Sequence, residues 1–232
     1  MIKEPALLTI RKNFPRPTAA QVAAFQNIPT GFICDAMDGQ AAMNSSVKPI
    51  GDGRDIKCVA AGVALVAENG PAEILATMGA IHIMQPGDII VAAVHGHKNC
   101  PAAGDRFCGM LKNKGAAGFV TDGEMRDYVG IVEVGLPAWC SGLNPNSPYS
   151  KGPGRVGFGA VVAGRYVESG DIIVADGDGV AVVPFARIDE IIAKLEEIKA
   201  LEYELDAKVQ AGYCDMPAIE AMIADGRAVV VD

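Results

Sequence analysis

The run Gly-Asp-Ile-Ile-Val-Ala occurs twice, at residues 87–92 and 170–175. A glycine can take the left-handed backbone of a tight turn. An aspartate can hold that turn by accepting from nearby amides, and Ile-Ile-Val is stiff at χ1 and suited to a pleated sheet. The two hexads read as one turn-into-strand solution used twice, rather than as an internal repeat. Apolar runs give strands over residues 56–67, 88–94, 117–121, 136–140, 160–167, 171–175 and 179–183. Helices are expected over 18–27, capped by Thr18, and from Pro29-Thr30 to Gly39. Others are expected over 71–84 with Pro71 in the first turn, 105–114 stopped by Gly115, 186–211 and 216–225. Residues 141–159 are rich in Gly, Pro, Ser and Asn and read as a long loop, functional or at an interface. This pattern is α/β or α+β.

The chain has 232 residues, half of them hydrophobic, which suffices to bury a substantial core. No low-complexity linker divides it, so one domain over 1–232 is expected, with a C-terminal helical segment over 186–225. No apolar run approaches the roughly 20 residues of a membrane span, and no secretory leader is evident after Met1. The six cysteines (Cys34, Cys58, Cys100, Cys108, Cys140 and Cys214) include no CxxC pair. They read as mostly buried thiols of a cytoplasmic protein. A net charge of −8 without a basic run argues against a nucleic-acid surface.

Chemistry concentrates where Asp105 is followed, after twenty residues, by Arg126-Asp127. Gly104 supplies a turn, and Asp105 suits the positive end of a helix dipole. The free amides at Asp105, Arg106 and Phe107 would make an anion site. Arg126-Asp127 falls just beyond a short buried strand and an Asp122-Gly123 turn, where α/β proteins expose reactive groups. A helix N-terminus, a guanidinium and a carboxylate together could hold a small carboxylate substrate against a divalent metal. A helix cap and a surface ion pair would use the same residues.

The stretch resembles the D-x20-R-D motif of the class II 4-hydroxy-4-methyl-2-oxoglutarate / 4-carboxy-4-hydroxy-2-oxoadipate aldolases. These fall within the RraA-like family, named for a regulator of ribonuclease activity. Residues 34–39, 85–91 and 170–180 resemble that family's S-D-A-x-D, P-G-D-V-L-V and G-D-x-x-x-x-D-x-D-G-V segments, in family order. The resemblance implies a swivelling β/β/α fold, assembled as a homotrimer or homohexamer with sites at subunit interfaces. It implies Asp127 as ligand to Mg²⁺ or Mn²⁺, and Arg126 paired with the keto or carboxylate oxygens of an oxo-acid substrate. Asp105 would sit in the outer shell and orient a proton-carrying water. Residues Gly104, Asp105, Arg106 and Phe107 would cradle the pyruvyl carboxylate. A glutamate from a neighbouring subunit, Glu202 or second Glu204, would approach the site. Tyr213, where the family often has an acid, departs from that pattern.

Weaker candidates are His95, His97 and Lys98, which could touch the distal part of a substrate or be structural. His82 reads as packing, and Lys57 as a remote Schiff-base candidate. The glycine-rich residues 152–159 read as a turn or subunit contact, since their register is wrong for a nucleotide loop. Three functions follow. The first is a metal-dependent pyruvate aldolase with oxaloacetate decarboxylase side activity. The second is a non-catalytic regulator of a ribonuclease or helicase, and the third another lyase or hydrolase on the same site. Relatives also carry a methyltransferase label, but no S-adenosylmethionine loop is evident.

Overall fold

The computed structural model describes residue 4 and residues 6–231. It falls into two compact units, Met1–Leu195 and Glu196–Asp232. In the first unit, β1 (Leu8–Ile10), β2 (Lys48–Pro49), β3 (Ala60–Asn69), β4 (Asp88–Ala93), β5 (Gly118–Thr121), β6 (Ala138–Cys140) and β7 (Gly154–Val156) lie in one mixed sheet. Its order is β1-β7-β3-β4-β5-β6-β2. β8 (Gly159–Val162) and β9 (Arg165–Glu168) form a separate hairpin. β10 (Ile172–Ala175) and β11 (Val180–Val183) join the main sheet through β3. The helices are α1 (Ala19–Ala23), α2 (Thr30–Ala36), α3 (Leu75–Ile83), α4 (Asp105–Asn113), α5 (Tyr128–Val134), α6 (Ile188–Gln210) and α7 (Pro217–Ala224). α6 begins in the first unit and continues into the second, which also holds α7. Among the described residues no helix is long and apolar enough to cross a membrane.

The two hexads sit on opposite sides of β3. Val63 pairs with Asp88 of the parallel β4 and with Ile172 of the antiparallel β10. Both turns are built alike. The Asp88 carboxylate accepts from Gln85 N at 2.9 Å, and the Asp171 carboxylate accepts from Glu168 N at 2.8 Å. Gly87 and Gly170 have φ of +89° and +108°, which a side chain would strain. Ile89, Ile90, Val91, Ile172 and Ile173 are wholly buried. At roughly 1.5–3 kcal/mol per buried aliphatic side chain, both faces of these strands stabilise the fold, so neither hexad alternates with polar residues.

β4, α4, β5, α5 and β6 follow one another, with β4, β5 and β6 parallel neighbours. α4 packs against α5. The loops leaving β4 and β5 therefore open side by side at the carboxyl ends of adjacent strands, where α/β folds place their ligands.

Several expectations need correction. No element is expected over Tyr128–Val134, which is too short and apolar to show helical periodicity, yet it forms α5. α3 begins at Leu75 and not at Pro71. Its leading amides are met from outside the helix: Glu73 Oε1 accepts from Ile74 N and Leu75 N, and Asn69 Oδ1 accepts from Ala76 N and Thr77 N. The strand expected over 56–67 runs from Ala60 to Asn69, and the one over 160–167 is a hairpin turning at Ala163-Gly164. Inside the expected loop 141–159, β7 pairs with β1 and β3. The glycines at 152–159 serve this packing; a Cβ on Gly152 would lie 2.2 Å from Leu7 O. The Thr18 cap is present as a reciprocal capping box with Gln21. All six cysteines are free thiols, four of them buried.

Candidate active site

The first turn of α4 faces a cleft of about 470 Å³ lined by Gly104, Asp105, Arg106, Phe107, Arg126 and Asp127, with walls from Ile74, Thr77, Met78, residues 101–103, Met110 and Pro148. Six of the seven residues expected to act thus meet in one place, contributed by the loops after β4 and β5. The N-cap is Gly104, which has no side chain to cap the helix. Its backbone is extended (φ −135°) and open to any residue. Space explains the glycine. A Cβ there would lie 2.4 Å from Asp127 Oδ2 and 3.2 Å from Arg126 Cγ. The missing side chain lets the Arg-Asp pair close against the start of α4. Gly130 does the same on α5, where a Cβ would lie 2.5 Å from Asp105 Oδ2.

Asp127 occupies the N-cap position of α5 with a left-handed backbone, φ +62°, and its side chain makes no bond to the helix. That conformation costs less for Asp than for most residues. Arg126 is oriented from three directions. Its Nε donates to Asp127 Oδ2 at 3.2 Å, and its Nη1 donates to Asn146 O at 3.1 Å and to Ser147 Oγ at 3.0 Å. Among the described residues nothing accepts from Nη2, so one edge of the guanidinium remains for a ligand. The backbone fixes the loop as well, with Arg126 N donating to Ala103 O and Met125 N to Gly142 O.

One expectation is modified. Of the three amides assigned to anion binding, Arg106 N already donates to Asp105 Oδ1 at 2.6 Å. An incoming carboxylate meets the amides of Asp105 and Phe107 first and must compete for the third. Beneath the cleft, burial pushes the Cys108 thiol up to about 12, with the Asp105 carboxylate adding to it. Burial likewise takes Cys140 to about 11. Burial raises Cys100 as well, against the opposing pull of Arg126. These thiols stay protonated and inert beside the site.

Other candidates lie elsewhere. His95, His97 and Lys98 follow β4 in a loop held by Asp122, which accepts from Val94 N and Gly96 N at 2.8 and 2.9 Å. None of the three lines the cleft. His82 is exposed on α3 rather than packed, and Lys57 is exposed outside the cleft. Glu202 and Glu204 belong to the second unit, where Glu204 pairs with Lys208 at 2.6 Å. Asn146 and Ser147 were missed individually. Only the composition of the 141–159 loop pointed to them.

A crevice at the carboxyl ends of parallel strands, built from a helix N-terminus, an anchored guanidinium and a neighbouring carboxylate, is the candidate site of this α/β protein. The chain belongs to the RraA-like family (Aldolase/RraA), which matches residues 30–182. A protein of Halalkalibacterium halodurans is 31% identical over 179 residues, covering 77% of this chain and 83% of its own. It carries the provisional name 4-hydroxy-4-methyl-2-oxoglutarate aldolase. The fold is shared with an uncharacterized protein from Pseudomonas syringae (TM-score 0.71, 20% identity, 87% of this chain and 97% of that one). It is shared too with Streptomyces coelicolor RraAS2, described as an unusual member of the RNase ES inhibitor RraA family (TM-score 0.68, 24% identity, 86% and 99%).

Proposed function

We propose that this protein is a divalent-metal-dependent lyase that cleaves a 4-hydroxy-2-oxo acid to pyruvate and a second carbonyl compound, with oxaloacetate decarboxylation as a side activity. The observation that carries this reading is the closure of Arg126 and Asp127 onto the first turn of α4 through the absent side chain of Gly104. The name of the Halalkalibacterium halodurans relative points the same way.

The residues present fit a hard cation. Asp127 is 43% exposed, and among the described residues no donor reaches its Oδ1. No trio of His, Cys, Asp or Glu able to surround a metal occurs among the described residues. Asp127 would therefore hold Mg²⁺ or Mn²⁺ largely through one carboxylate, with water completing the shell. Such a cation supplies Lewis-acid stabilisation of the charge that develops when the carbon–carbon bond breaks. Arg126, fixed in place, presents its free edge to the keto and carboxylate oxygens of the pyruvyl half. The amides at the start of α4 take that carboxylate's other oxygen. Asp105 accepts the C4 hydroxyl proton by way of an intervening water. The reading includes a homotrimer or homohexamer in which Glu202, or else Glu204, approaches a neighbouring copy's cleft. Exposed Leu201, Leu205 and Val209 along the same helix support its being covered.

The test is pyruvate release from 4-hydroxy-4-methyl-2-oxoglutarate, 4-carboxy-4-hydroxy-2-oxoadipate and oxaloacetate, with Mg²⁺ and with EDTA. Release is expected with Mg²⁺ and should vanish with EDTA, and Asp127→Asn should respond to neither. Release that survives EDTA would remove the metal from the reading. No release from any of the three would favour the inhibitor role named for RraA proteins. Gly104→Ala supplies a second check, because its backbone tolerates alanine while its Cβ displaces Asp127. Pyruvate release should fall at least about tenfold, with the melting temperature moving by no more than about 4 °C. Unchanged kinetics would show that the closure of Asp127 onto α4 is incidental.

A further inference from the structure

Resting on that reading, we infer that Asn146 is a positioning residue for the reaction. By donating to Asn99 O, its side chain ties the loop after β6 to the loop after β4 and so fixes the direction of the Arg126 guanidinium. Arg126 Nη1 finds both of its acceptors in the loop after β6, at Asn146 O and Ser147 Oγ. That loop is exposed at Pro145, Asn146 and Ser147. Its backbone is fixed before them, where Asn144 N donates to Met125 O at 2.8 Å, and after them, where Tyr149 N donates to Ala72 O at 2.8 Å. Between these points, and apart from the bonds of Arg126 itself, one hydrogen bond among the described residues ties residues 145–148 to another loop. Asn146 Nδ2 donates to Asn99 O at 2.8 Å. An exposed segment held only by the guanidinium would move with it and could not set its direction.

The acceptor is itself held. Asn99 has a left-handed backbone, φ +67°, which asparagine adopts more readily than most residues. Its N–H donates to Glu124 Oε2 at 2.7 Å, and Glu124 O accepts from Ala102 N at 2.7 Å. With Asp122 accepting from Val94 N and Gly96 N, two acids that follow β5 set the loop after β4 in place. None of residues 95–99 lines the cleft, yet the loop acts on it through this one carbonyl. The path from Glu124 through Asn99 and Asn146 to Arg126 closes on itself, because Glu124 and Arg126 belong to the same loop. A swing of the guanidinium must therefore break a bond rather than bend a free segment.

Asn146→Ala should lower kcat by about 10–100-fold, as when a group at the chemistry is displaced by about 1 Å. The assay is pyruvate release with Mg²⁺, on whichever of the three acids above the wild type turns over fastest. KM should change by less than about threefold, since the amides at the start of α4 still meet the substrate carboxylate. Asn146→Asp keeps the size of the side chain but turns an acceptor toward Asn99 O, and should lose as much. Both variants should melt within about 4 °C of the wild type, because the side chain is exposed.

The deciding comparison repeats Asn146→Ala in an Arg126→Ala background. A residue that acts through the guanidinium has nothing left to position there, so the further loss should be less than about twofold. The inference is overturned if Asn146→Ala costs the same factor in both backgrounds, or if Asn146→Asp works as well as the wild type. Failure of the wild-type protein to release pyruvate from any of the three acids would instead sink the lyase reading, and this inference with it.

Discussion

Arg126→Ala is expected to lower kcat/KM for pyruvate release by about 10²–10³-fold, the range seen when one preorganised donor to a developing charge is removed. The guanidinium is held by Asp127, Asn146 and Ser147 before any ligand arrives, so it offers its remaining edge without reorganising. Alanine removes the charge and the geometry together. Arg126→Lys should recover little of the loss, because an ammonium cannot grip Asp127 and Ser147 while also presenting a planar pair of donors. The side chain is 36% exposed, so both variants should fold and melt close to the wild type. Steady-state kinetics alongside a melting curve make the check. Activity within fivefold of wild type for the alanine variant would remove Arg126 from the site.

The second large effect concerns stability. Glu73 is 6% exposed, and its carboxylate is used fully. Oε1 accepts from Ile74 N and Leu75 N at 2.9 and 2.8 Å, and Oε2 accepts from Lys151 N and Gly152 N at 2.8 and 2.9 Å. One side chain thus caps α3 and ties it to the loop that carries Asn146, Ser147 and Pro148. Burial pushes the Glu73 pKa up, but the four amides outweigh it, and the net shift is downward.

Glu73→Ala leaves buried donors unmet and should destabilise the first unit by about 3 kcal/mol at pH 7, since bonds to a charged acceptor are worth about 1.5–3 kcal/mol each and do not add fully. A carboxyl with a depressed folded pKa contributes stability that is present above its unfolded value of about 4.3 and is lost as pH falls through the folded one. The gap between wild type and variant should therefore be full at pH 7 and shrink below about pH 4. Glu73→Gln should lose part of the same stability, because its NH₂ would face two of the four amide donors. Denaturant titrations at both pH values decide the matter. A gap of the same size at each would mean that the charge on Glu73 is immaterial.

The local features of the chain were legible without its tertiary structure. Gly87-Asp88 and Gly170-Asp171 turn into strands because a left-handed glycine and an amide-accepting carboxylate act within four residues. Asp105 opens a helix because the chemistry of a helix start lies in adjacent residues, and the spacing to Arg126-Asp127 carries the family resemblance. The C-terminal helices, one long and the other opened by Pro217 in its first turn, were equally visible. β1, β7 and α5 were not, since three to seven residues hold too little periodicity to register.

Only tertiary structure decided the rest. α3 starts where Asn69 and Glu73 reach its amides, and not at the proline that suits a first turn. Arg126 is oriented by Asn146 and Ser147, twenty and twenty-one residues away in sequence. Gly104 is glycine because a carboxylate from another loop fills the place of its Cβ, although its own backbone angles would accept any residue. Sequence alone determined where the chain turns and which residues carry charge. Which of those charges meet depends on the packing of β4, α4, β5 and α5, since a contact between distant residues exists only once the sheet between them has formed.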